Sequence, residues 1–293
     1  MWRSACSHFI LGAALILLPA LARSQESPYF VTYDHHLEEP GNLEIETSST
    51  TGIPRVGQHF FFAPYTEFEY GVTARWTSEL YLEGQTTAGD STVFTGWRIE
   101  NRYRLLRREH LVNPVVYLEY ENINEASKIL KEIEGGAPDL SSPNAVLRRE
   151  KDHELEGKLI LSSDIHDWNL AGNFIVAKNF SQSEGVEFGY AAGLSRPLAT
   201  LASAETCRFC QENFSAGVEF YGGLGSTLGF GLSDTAHFVA PVMAWMVSDD
   251  STIKFSVGFG LTHESSPVLL RFGYNYELQG IGARLSRFFG GKP

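Results

Sequence analysis

A long oily run is the first thing this 293-residue chain lacks. Past residue 22 no stretch approaches the ~20 consecutive apolar residues a membrane-spanning helix requires, which excludes a helical membrane protein. Cysteine is scarce, with three in all. Cys6 precedes the short apolar run Phe9–Leu18, so no cysteine follows that run to accept a lipid. Cys207 and Cys210 have no second pair with which to build a zinc site, and Gln211 stands where haem attachment needs His. A small structural disulfide, or a strained one that opens, is what remains for them. Basic charge is short too: 23 Lys and Arg against 35 Asp and Glu give a net charge of −12. That balance excludes a nucleic-acid-binding surface. Also missing are a Gly-x-Ser-x-Gly elbow, a nucleotide site and an energy-coupling plug domain.

What is present starts with a leader. Arg3, the apolar run to Leu18 and the small-x-small Ala20-Leu21-Ala22 predict a secretory signal peptide over residues 1–22. Residues 23–293 are then expected to form one domain. With 43% apolar and 13% aromatic residues, that domain is not disordered.

The organising pattern is clearest at Pro267–Leu278. Val268, Leu270, Phe272, Tyr274, Tyr276 and Leu278 alternate with Arg271, Gly273, Asn275 and Glu277. A period of two separates the faces of a strand, and here one face suits hydrocarbon while the other does not. The same rhythm recurs over 42–48, 65–72, 76–85, 93–105, 112–121, 154–161, 168–176, 186–195, 214–221, 238–247 and 252–261. The 238–247 segment is apolar on both faces. Twelve segments of about ten residues, divided by turn signals, predict an all-β protein. The expected fold is a transmembrane antiparallel up-and-down β-barrel of about 12 strands (10–14). An even count puts both termini in the periplasm. Longer connections, at 49–64, 86–92, 122–149, 179–185, 222–236 and 262–267, then fall outside. A soluble sandwich also alternates, but these strands are long, aromatics gather near their ends, and one face is dense in charge. A wet lumen tolerates charge and a lipid-facing band does not. The tail 279–293, with Leu285, Phe288 and Phe289, reads as a candidate closing strand. The long loop 122–149 carries helical spacing over Glu125–Glu134 and reads as a surface excursion rather than a lid.

The hairpin Glu67-Phe68-Glu69-Tyr70-Gly71-Val72-Thr73-Ala74-Arg75-Trp76 resembles a recurrent motif, EYG(V/L)T-x-R-(W/L). It belongs to outer-membrane proteins of the MetA-pathway of phenol degradation family. Asn113–Tyr120 and Gly273–Tyr276 are similar in style. The resemblance implies a barrel and transport of small aromatic or apolar compounds, and it supplies no catalytic residues. The 122–149 loop and the Cys207/Cys210 pair lie outside it.

Three groups of residues are candidates for chemistry. The first is a luminal array: Glu79, Arg98, Glu100, Arg102, Arg104, Glu119 and Glu121. Hairpins centred near Ala88–Gly89 and Arg108–Glu109 place Arg98 between Glu79 and Glu119. The array is either a constriction that orients a polar or anionic solute or mutual neutralisation in a filled lumen. The second is Asp34-His35-His36 with Glu38 and Glu39, which has metal-donor types. Adjacent histidines on an extended chain point apart, so this stretch reads as a solvated lead-in and no metal is expected. The third comprises Ser233, Asp234 and His237 with His263 and Ser265, which fall in predicted outer loops. No catalytic residue and no cofactor is expected.

The sequence therefore predicts an outer-membrane barrel of a Gram-negative cell, in contact with lipid, that passes a small solute passively. The alternatives are a non-conducting structural or adhesive barrel and an outer-membrane lipid hydrolase.

Overall fold

The computed structural model describes residues 27–55, 58–129, 139–183, 185–199 and 207–289. The predicted signal peptide lies outside them. Twelve antiparallel strands form the wall: β1 (Leu43–Ile53), β2 (Phe61–Thr73), β3 (Trp76–Thr87), β4 (Thr92–Arg104), β5 (Asn113–Asn124), β6 (Lys151–Ile165), β7 (Trp168–Asn179), β8 (Glu187–Pro197), β9 (Phe214–Ser226), β11 (His237–Ser248), β12 (Ser251–Gly260) and β13 (Val268–Leu278). A two-residue β10 (Gly229–Phe230) folds back on β9. Each wall strand pairs with its neighbours in sequence. β13 closes on β1 from Leu43 opposite Leu278 to Ile53 opposite Val268. Closure removes every edge, which a β-structure in lipid must do because hydrocarbon offers no hydrogen-bond partner.

The period of two sorts the side chains as expected. Leu118, Leu159, Phe174, Phe255 and Phe272 point out and stay exposed. Aromatics crowd both rims of this band. Trp76, Tyr103, Trp168 and Tyr276 sit at the short-turn end, and Phe62, Phe94 and Phe259 at the long-loop end. Trp76 donates its indole N–H to Asn101 Oδ1 (3.0 Å) and Trp245 donates to Arg208 O (2.9 Å). Amphipathic rings are satisfied in this way at a bilayer interface.

Four expectations are corrected. β1 and β2 run further than their alternation suggested, so the first outer connection is 54–60 rather than 49–64. Thr50 and Thr51 continue the strand because β-branched residues suit a pleat without being oily. Residues 125–129 form a turn rather than the start of a helix. The rest of the predicted helix lies outside the described residues, and the loop's helix is the short α1 (Asn144–Leu147). The tail is a helix, α2 (Ile281–Phe289), not a closing strand. Finally, residues 28–37 are no solvated lead-in: Tyr29, Val31, Thr32, Asp34 and His35 are all buried inside the barrel.

Candidate functional site

The lumen has two unlike walls. Over β2–β6 it is acidic. The ladders set Glu69 opposite Glu79, Glu79 opposite Glu100, Glu100 opposite Glu119 and Glu119 opposite Glu156, so five buried glutamates share one level across five strands. Like charges directly opposite repel. The row persists because cations two residues along reach it diagonally. Arg102 Nη2 lies 2.6 Å from Glu69 Oε1 and 2.5 Å from Glu79 Oε1, and its Nε lies 3.2 Å from Glu100 Oε1. Arg98 donates from Nε to Glu83 Oε1 (2.5 Å) and from Nη1 to Glu119 Oε2 (2.9 Å). Lys158 Nζ lies 2.7 Å from Glu156 Oε1.

Among the array residues, Glu79, Arg98, Glu100, Arg102 and Glu119 belong to this network, and Glu121 faces Arg98 across the β4–β5 ladder. Arg104 does not join. It is at the short-turn rim, where its Nε donates to Leu106 O (3.3 Å). Arg98 was expected beside Glu79 and is beside Glu83 instead. The hairpin centres on Gly89, and a bulge at Thr95–Gly96 shifts the β3–β4 register by one residue more, so Arg98 pairs with Tyr81. Gly96 is required there, since a Cβ on it would meet the Asn122 carbonyl at 2.1 Å.

Over β7, β8 and β11 the inner face carries small residues, Ala171, Ala191, Gly193, Ala240 and Ala244, beside the polar Asn173 of β7 and Glu219 of β9. The small residues leave room for the N-terminal segment. Tyr29 packs on Ala171 and Val242. The N–H groups of Phe30, Val31 and Thr32 all donate to the buried Glu219 carboxylate, at 3.2, 2.9 and 2.7 Å. Asn173 brackets Tyr33, accepting its N–H and donating to its carbonyl, both at 2.7 Å. The Tyr33 ring then crosses to the acidic wall. Its hydroxyl donates to Glu100 Oε2 (3.0 Å), and its face receives Lys158 (4.7 Å) and Arg102 (5.1 Å). The segment thus bridges both walls.

Towards the long-loop end the lumen turns apolar. Val31 of the segment joins Phe61, Tyr221, Phe238 and Leu269, and Leu140 of the 125–150 loop descends onto the same cluster. Asn144 ties that loop to the β3–β4 hairpin, donating its N–H to Asp90 Oδ2 (2.5 Å) and its amide to Ser91 O (2.9 Å). The described part of the loop therefore folds inward rather than away.

At the short-turn mouth, burial alone would depress His36, but hydrogen bonds to Asp164 and Asp34 push its pKa up to about 10. Glu38 is pushed up to about 8, by burial first and then by Glu69 and Glu277.

The remaining candidates separate. Cys207 and Cys210 form a disulfide, Cα–Cα 5.3 Å, in the 198–213 connection. His237 uses Nδ1 on the Tyr190 hydroxyl (3.0 Å) and Nε2 on Thr235 Oγ1 (2.9 Å). Ser265 Oγ engages the His237 backbone instead of its ring (2.8 Å to both N and O), while Ser233 and Asp234 are exposed. These residues form no serine–histidine pair.

Sequence reasoning missed Tyr33, Glu69, Lys158 and Glu219 as site residues. One signal was available: Gly189, Ala191 and Gly193 at alternate positions of β8, with Ala171 on β7 and Ala240 and Ala244 on β11, mark space that something must fill.

Fold and lumen together define a transmembrane β-barrel of the outer-membrane type. The chain is similar to the COG4313 outer membrane channel from Pseudomonas putida F1, with TM-score 0.52 and 10% identity, covering 84% of this chain and 98% of that one. The NanC porin (TM-score 0.49, 10% identity, 80% and 100% covered) also matches. So does the KdgM porin in complex with disordered oligogalacturonate (0.48, 9%, 80% and 98%). At 10% identity the likeness to the COG4313 channel is one of fold alone. No family model matches the sequence, and no curated protein matches it.

Proposed function

We propose that this protein is a passive outer-membrane channel for small molecules, held closed here by its own N-terminal segment. The observation that carries the reading is the segment itself. Residues 29–33 bridge the two lumen walls through Glu219, Asn173 and Glu100, and Val31 completes the apolar layer above. A non-conducting scaffold has no need of an inward-facing groove of small residues matched to a separate internal segment. Solute class follows from the lining. Arg98 and Arg102 are already committed to glutamates, which leaves no free cation in this cluster for an anion, and the glutamates outnumber their partners. The route therefore favours neutral or cationic solutes over anions. The apolar layer, and the resemblance of the Glu67–Trp76 hairpin to the phenol-degradation family, support small aromatic or apolar compounds.

Planar-bilayer recording tests this. The full chain is expected to conduct rarely, and Glu219→Ala to raise open probability at least tenfold with cation over anion selectivity. Silence of both proteins, each shown to be folded in the membrane, supports the structural barrel instead.

A further inference from the structure

Where the luminal segment leaves the barrel, it meets the β6–β7 turn. The chain bends at His35, so the two adjacent imidazoles do not point apart: their centroids are 4.3 Å from one another. Both Nε2 atoms face one carboxylate oxygen, Asp164 Oδ2, at 3.7 Å from His35 and 3.3 Å from His36. The shorter distance matches the donor spacing of a metal shell and the longer lies just beyond it. Donors bound at ~2.0–2.2 Å in a tetrahedral shell are spaced roughly 3.3–3.6 Å apart.

We infer that His35 Nε2, His36 Nε2 and Asp164 form a three-ligand site for a zinc-class divalent ion, with the fourth position open to water.

Three observations support the inference. His35 is fully buried and its Nε2 has no hydrogen-bond partner, an expense a core histidine does not normally carry. The far side of every ligand is already held, as in metal sites. His35 Nδ1 meets Ser162 Oγ at 2.6 Å, His36 Nδ1 meets Asp34 Oδ1 at 3.1 Å, and Asp164 Oδ1 accepts from Asn169 at 2.7 Å. With Nδ1 engaged on the outward side, Nε2 is the atom each ring would offer to an ion, which takes the place of any proton held there. Finally, His36 and Asp164 are each about 40% exposed, which gives an ion an entry path from the short-turn mouth. Two imidazoles with one carboxylate select zinc-class ions over calcium or magnesium. Bound there, the ion would fasten the luminal segment to the wall. The site stands on geometry alone and holds whether or not the barrel conducts.

The test uses the untagged full mature chain, refolded in detergent with its disulfide intact and stripped with chelator. Calorimetry with Zn²⁺ is expected to show one ion per chain, and Co²⁺ to give the intense visible bands of a four-coordinate site. His36→Gln and Asp164→Asn should each weaken Zn²⁺ binding at least tenfold while keeping the β-barrel circular dichroism. Glu69→Gln, in the acidic row, should leave binding unchanged. Absence of stoichiometric Zn²⁺ binding overturns the assignment. So does binding that survives both ligand substitutions, or binding lost with Glu69.

Discussion

Arg98 shows how a single residue keeps the acidic wall folded. Its guanidinium joins Glu83 to Glu119 and stacks over Tyr81 at 4.1 Å, with only 11% of the side chain exposed. Replacing a buried ion pair with apolar groups is often tolerated, but removing one partner leaves uncompensated charge. Arg98→Ala removes the shared cation from two buried carboxylates that already face like-charged neighbours. We expect it to cost about 3–5 kcal/mol of stability, read as a lower urea midpoint for refolded barrel in vesicles. The double variant Arg98→Ala/Glu119→Gln should recover part of that loss, because one of the stranded charges has gone. Failure to recover would mean that Arg98 acts by packing on Tyr81 rather than by neutralising Glu119.

At the scale of elements, the internal segment and the β7–β8 wall fit because one side is small. A Cβ on Gly193 would stand 2.7 Å from the Tyr29 ring. Gly193→Leu is therefore expected to expel the segment and leave the wall intact, since the Gly193 backbone is extended in the β7–β8–β9 ladder. A cysteine placed at buried Thr32 reports on this. Its labelling by a soluble maleimide should rise at least tenfold in the Gly193→Leu background. The same residues explain what could be read from the chain and what could not. Wall strands were legible because lipid on one side and a lumen on the other impose a two-residue period, as at Ile253–Leu261. The 238–247 segment looked oily on both faces for a physical reason: Ala240, Val242 and Ala244 line the apolar part of the lumen. Tyr29–Leu37 has no period because it is a single strand-like thread met by different partners at each residue. The Arg98–Glu83 pairing depended on one bulge, and no composition rule locates a bulge to the residue. The His35–His36 convergence depended on one bend.

For the whole molecule, the decisive partition is between an oily outer belt and an interior that is part acidic, part apolar. Leu118, halfway along β5 and 51% exposed, faces outward, and Leu105 lies just past the short-turn end of β4. In a membrane barrel the cost of a charge depends on depth: about 2–4 kcal/mol for Arg at the bilayer midplane, falling to roughly 0–1 near the interface. In a soluble protein both leucines would be ordinary surface positions, each tolerant of Arg within about 0.5 kcal/mol. Urea-dependent folding of Leu118→Arg and Leu105→Arg into phosphatidylcholine vesicles separates the two cases. The membrane barrel requires a large loss for Leu118→Arg and a small one for Leu105→Arg, because only Leu118 holds its side chain in hydrocarbon. Equal, small effects would mean that the exposed leucines meet water, and the acidic row would then lie inside a soluble protein. The interior argues against that outcome. A soluble fold would gather its large aliphatic side chains where the five glutamates are, whereas here Leu118, Leu159 and Phe174 turn away from them. That inversion is stable only if the surroundings are less polar than the centre.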